Sequence, residues 1–177
     1  MKIIGTPVNG VYILEVERYQ DDRGCFSELY NRKVLLELGI DFEIAQVNFS
    51  QNTKVGVLRG LHYQAEPYSQ AKIVYCLRGQ IVDCAVDINR DSSTYGKYFI
   101  CQLTEGGNRA LYLAPGLAHG YKTLAIKSEV VYLTSNYYNK QSERGIRYND
   151  PFFSIVWPCT PIDIIDTRDR TWSLWQK

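Results

Sequence analysis

The chain has 177 residues, 45% of them hydrophobic, with 20 basic and 19 acidic side chains and a net charge of +1. That length suits a single domain, residues 1–177, with one sizeable core, and the apolar content excludes a disordered chain. The balanced charge gives no long-range pull toward nucleic acid or an acidic membrane, so any basic site is local.

The N-terminal stretch MKIIGTPVNG lacks the basic and apolar regions of a secretory leader. No run approaches the ~18 apolar residues of a membrane helix. Residues 11–16 read as a strand and Asp21-Asp22-Arg23-Gly24 as a charged turn. Residues 31–38 carry the one good helical pattern, ended by Gly39. Strand patterns follow at 42–49, 58–64 and 72–77. Arg78-Gly79 reads as a hairpin turn into a strand over 80–88. There Val82, Cys84, Val86 and Ile88 share one face, and Ile81, Asp83, Ala85 and Asp87 the other. Further strands are predicted at 97–103, 110–113 and 129–134, separated by turns at 105–108, 114–116 and 149–151. Residues 162–171 fit a short C-terminal turn or helix. Many short strands punctuated by turns predict an all-β sandwich or barrel. Cys25, Cys76, Cys84, Cys101 and Cys159 are odd in number, dispersed and free of CxxC pairs. Reduced thiols in a cytoplasm, each a small core hydrophobe, are expected.

Dinucleotide, phosphate-loop and HExxH motifs are absent, which argues against a cofactor. Two histidines without a closely spaced carboxylate cluster give little support to a metal site. His62 is either a satisfied strand histidine or a general base, a role its ordinary pKa suits. Arg59 falls on the opposite face of a regular strand, but a bulge at Gly60 would bring it round. Lys72 opens the next strand, and two cations beside an imidazole would keep it neutral and bind an anion. His119 is either a backbone-capping loop residue or a second polar wall of the same cavity. Tyr132 is a core or rim aromatic whose phenol can also donate a proton.

Several stretches, in order, carry a family resemblance: Asp21–Glu28 (DDRGCFSE), Gly56–Gln64 (GVLRGLHYQ), Gln70-Ala71-Lys72, Gly79–Asp87, Ser93–Gly96, Pro115–Tyr121 (PGLAHGY), and Gly145–Pro151 followed by Ile155–Pro158. Together they resemble the dTDP-4-dehydrorhamnose 3,5-epimerase family of cupin-type sugar-nucleotide epimerases, over about residues 10–170. Leu117 and Tyr121 stand where that family usually has phenylalanine, and Tyr148 where it has tryptophan. The resemblance implies a cupin-like jelly roll with a few short peripheral helices. It implies a cytoplasmic homodimer acting on a nucleotide-linked 4-keto-6-deoxy sugar in deoxysugar (rhamnose-type) biosynthesis, with no cofactor, no metal, no nucleic acid and no membrane. By resemblance, His62 is the base, Asp169 its orienting carboxylate, Tyr132 the acid and Lys72 the cation at the enolate oxygen. Asp163 and Asp166 are the other carboxylates that could stand behind His62. Arg23 and Arg59 are implied at the diphosphate, Glu28, Gln46 and Asn48 at nucleotide or sugar, His119 in the sugar pocket, and Tyr138 against the base. Inversion at C3 alone, 3,4-ketoisomerisation, and a non-catalytic binding cupin remain the alternatives.

Overall fold

The computed structural model describes residues 1–158 and 161–176. Cys159 lies outside them. Among the described residues there are fourteen strands and two short helices. The first sheet holds β1 (Lys2–Gly5), β2 (Val11–Glu15), β10 (Arg109–Leu113), β7 (Lys72–Arg78), β12 (Ser128–Thr134) and β5 (Gln46–Asn52), in that spatial order. The second runs β13 (Glu143–Gly145), β6 (Val57–Gln64), β11 (Leu117–Thr123), β8 (Gln80–Asp87), β9 (Tyr98–Thr104). A two-residue strand, β14 (Ile164–Ile165), adds to β6 in parallel. All other pairings are antiparallel, as the all-β reading expects.

Period-two alternation explains how both faces of the central strands are buried. On β8, Ile81 and Ala85 join Val74, Cys76, Leu111, Tyr121 and Val130 in a core between the sheets. Cys84 and Val86 point the other way, into a second core with Leu61, Ile146 and Phe153. A third core covers the outer face of the first sheet, where Leu35 of α1 (Arg32–Glu37) packs with Phe42, Ile73 and Tyr112. The helix begins where expected, because the Asn31 side chain accepts from the Val34 N–H at 3.2 Å.

Two expectations are corrected. The strand predicted from Phe42 starts only at Gln46. Phe42 is wholly buried against the Tyr30 and Tyr112 rings, so its hydrophobicity serves core packing outside any strand. Cys25 is exposed rather than core. It lies on β4 (Gly24–Phe26), which with β3 (Tyr19–Asp21) forms a separate two-stranded sheet whose residues are all exposed. Asp22 and Arg23 are the turn of that hairpin.

Candidate active site

The site follows from which strand positions face the gap between the sheets. A cavity of about 710 Å³ opens there. Gln46, Asn48 and Ser50 on β5, Lys72 on β7, and Tyr132 and Thr134 on β12 supply one wall. His119 and Tyr121 on β11, with Arg59 and His62 on β6, supply the facing wall.

On β6 the alternation slips once. His119 pairs with His62 and Tyr121 with Arg59, so two steps on β11 match three on β6. This is the bulge that Gly60 was expected to permit. Gly60 has φ +112, and a Cβ there would sit 2.7 Å from the Gly120 Cα and the His119 carbonyl oxygen. Only glycine fits that conformation and that contact. The slip brings Arg59 and His62 into the same cavity.

Of the three carboxylates considered, Asp169 reaches His62. Its Oδ1 lies 2.6 Å from His62 Nε2, and its Oδ2 accepts from the Gly60 N–H at 2.9 Å. Asp169 sits on α2 (Thr167–Thr171), whose first turn is capped by Asp166 accepting from the Arg168 N–H. Burial pushes the Asp169 carboxyl up, but its bonds to His62 and Gly60 and the nearby Arg168 charge outweigh this and hold it below its usual range. Asp166 is therefore a helix cap, and Asp163 lies beside Gly56. Trp172 closes the arrangement, T-shaped to the His62 ring and close enough to Gly145 of β13 that a Cβ there would sit 2.2 Å from its Nε1.

His119 forms a second pair. Its Nε2 lies 2.9 and 3.0 Å from the two oxygens of Asp83, which is completely buried on β8. Asp83 was not among the sequence-derived site residues, although an acidic side chain in the inward phase of β8 was the available signal. Burial pushes the Lys72 ammonium down to about 8, against the opposing pull of Asp83 and Glu143. The Tyr132 phenol is raised, chiefly by burial, and so keeps its proton. Glu143 and Arg168 line the cavity as well, although neither was among the expected residues. Glu143 Oε2 accepts from the Tyr138 hydroxyl at 2.9 Å and from Arg168 Nη1 at 2.6 Å. Neither carries a local motif, and only the pairing of β13 with β6 brings Glu143 to the cavity.

Of the eleven expected site residues, nine line the cavity: His62, Asp169, Tyr132, Lys72, Arg59, His119, Gln46, Asn48 and Tyr138. Arg23 and Glu28 do not. Arg23 sits at the exposed β3–β4 turn, paired with Asp21 at 2.6 Å, and Glu28 accepts from Asn31 Nδ2. Among the described residues, no three His, Cys, Asp or Glu side chains converge as metal ligands. None of their helices is long and apolar enough to cross a membrane.

The comparisons with known proteins agree with this geometry. The family model described as dTDP-4-dehydrorhamnose 3,5-epimerase matches residues 5–177. The dTDP-4-dehydrorhamnose 3,5-epimerase of Shigella flexneri is 45% identical over 159 residues, covering 89% of this chain and 87% of the relative. The crystal structure of the Bacillus anthracis enzyme of that name, with TDP and PPi bound, superposes with a TM-score of 0.94 at 36% identity, covering 98% of this chain and 99% of that one. The Legionella pneumophila dTDP-6-deoxy-D-glucose-3,5-epimerase, in complex with dTDP-4-keto-L-rhamnose, gives 0.90 at 37% identity, covering 95% and 89%. The fold is a cupin-like jelly roll, and the chain belongs to the dTDP-4-dehydrorhamnose 3,5-epimerase family.

Proposed function

We propose that this protein epimerises a dTDP-linked 4-keto-6-deoxy sugar at C3 and C5 by proton abstraction and return, without a cofactor. The observation that carries this reading is the pair of facing walls. His62, backed by Asp169, stands on one wall, and Tyr132 and Lys72 stand on the other. A ketone acidifies its neighbouring C–H bonds because the electron pair can move onto oxygen. His62 takes that proton. Its Nε2–H donates to Asp169, which leaves Nδ1 as the accepting nitrogen and stabilises the imidazolium that forms. The electrons pass to the carbonyl oxygen, where the Lys72 ammonium stabilises the enolate, a contribution typically worth ~3–4 kcal/mol. Tyr132 then delivers a proton to the opposite face of the same carbon, and exchange with solvent restores both groups. The substrate supplies its own electron sink.

Arg59 would hold the diphosphate, a match of guanidinium fork to phosphate oxygens. Gln46, Asn48 and His119 would contact nucleotide or sugar, and Tyr138 would stack on the base. A homodimer would give Arg23 and Glu28 a role, because their exposed hairpin could reach a second copy's cavity. Exposed Tyr19 and Phe26 on that hairpin, and Val47 and Phe49 on the edge strand β5, support such a contact. The free thiols of Cys76, Cys84 and Cys101 fit a cytoplasmic setting.

Incubation with dTDP-4-keto-6-deoxyglucose in D2O tests the chemistry. Deuterium is expected at both C3 and C5. No exchange at either carbon would sink the reading, exchange at C3 alone would make the protein a 3-epimerase, and a product with a moved ketone in the NMR spectrum would make it a 3,4-ketoisomerase.

A further inference from the structure

We propose that Tyr121 and Asn52 act together as positioning residues for Arg59, presetting its guanidinium for a diphosphate; this rests on the assignment of Arg59 to the diphosphate made above. Arg59 has a long side chain that burial does not hold. Left alone, such a side chain samples many rotamers and must be ordered when an anion binds. Here its Nε donates to Asn52 Oδ1 at 2.9 Å. Asn52 is only 2% exposed and stands at the end of β5.

The orientation of the Asn52 amide is set by its other partners. Its Nδ2 lies 3.2 Å from the Ser128 carbonyl oxygen, which can only accept, and 3.2 Å from the Tyr121 hydroxyl. Oδ1 is therefore the atom presented to Arg59. The Tyr121 hydroxyl, accepting from Asn52, gives its own proton to Ser50 Oγ at 2.8 Å. A relay from β5 through β11 thus occupies Nε and, among the described residues, leaves both terminal NH2 groups of Arg59 for a ligand. A phenylalanine at position 121 would keep the ring and lose the hydroxyl, and with it both bonds of the relay.

Titration calorimetry of the intact protein with dTDP and with thymidine tests the proposal, alongside steady-state kinetics. Tyr121→Phe is expected to weaken dTDP binding about three- to tenfold, the range for one lost hydrogen bond, and to leave thymidine binding unchanged. KM should rise by the same factor while kcat stays within about twofold. Asn52→Ala should weaken dTDP at least as much, and the double variant no more than Asn52→Ala alone, because both act through one contact. Equal losses for dTDP and thymidine would mean a general packing role and would overturn the proposal. So would unchanged dTDP affinity in Tyr121→Phe and Asn52→Ala while Arg59→Ala weakens it. If Arg59→Ala itself leaves dTDP affinity unchanged, the assignment of Arg59 to the diphosphate fails first.

Discussion

The two histidine–carboxylate pairs are built differently. His119 and Asp83 sit on hydrogen-bonded neighbours, β11 and β8, within one sheet, and are 7% and 0% exposed. His62 and Asp169 join a strand to a five-residue helix 107 positions away, and the His62 side chain keeps 26% of its surface exposed. The first pair is fixed by the sheet that also forms the core. The second is assembled by docking, through the β14 pairing, the Arg168–Glu143 bridge and Trp172 against Gly145. A group that must trade protons with a substrate needs room and access, whereas a group that only shapes the wall can be sealed in.

The sharpest break between the pairs should be kinetic. His62→Asn should lower kcat by about 10²–10⁴-fold, the usual worth of a general base, with modest change in dTDP affinity. Asp169→Asn follows, with an expected loss on the order of 10²-fold in kcat and little loss of melting temperature, since on the proposed function the docked pair serves chemistry more than the core. The sealed pair should respond the other way. Asp83→Ala should cost about 1–3 kcal/mol of stability, read from a urea titration, because it leaves the buried His119 without its partner. Comparable stability losses for Asp169→Asn and Asp83→Ala would erase the distinction.

Most of the fold was legible in the sequence, and nine of the eleven residues singled out there line one cavity. Alternation along β8 and β12 and the turn residues between strands carry the architecture, and His62 stands inside the stretch Gly56–Gln64 that the family resemblance covers. Long-range partnership was not legible. Asp83 looks like any inward polar residue until β11 sets His119 against it. Glu143 enters the site only through β13, and Trp172 only through the end of α2, elements whose few residues give too little periodicity to register. Phe42 reads as strand because a buried aromatic looks alike in a strand and in a loop that packs on a sheet.

Two smaller effects sharpen the comparison. On the proposed function, the charge of Lys72 that would stabilise the enolate is present below about pH 8 and is lost as pH rises through that value. kcat/KM should therefore fall about tenfold by pH 9. Asp83 raises the Lys72 value, so Asp83→Asn should move this alkaline limb to lower pH in a pH–rate profile. An unmoved limb would separate the sealed pair from catalysis altogether. Gly145→Ala tests the docking most gently. Its Cβ would sit 2.2 Å from Trp172 Nε1, so the indole must shift, at a cost of about 1–3 kcal/mol. Adding Trp172→Ala should remove that clash. If the double variant melts lower than Trp172→Ala alone, the contact is not what Gly145 is for.

The slip on β6 has a consequence for anyone moving this chemistry elsewhere. An arginine and a histidine three positions apart belong to opposite sides of an ordinary strand, so copying Arg59 and His62 onto another sheet would divide them. What must travel with them is the place where two strands touch without side chains. Gly60 and Gly120 meet backbone to backbone, and a Cβ on Gly120 would lie 2.6 Å from the Arg59 carbonyl oxygen. The transferable part is therefore a pair of adjacent strands with their offset, and the motif of either strand alone is half an instruction.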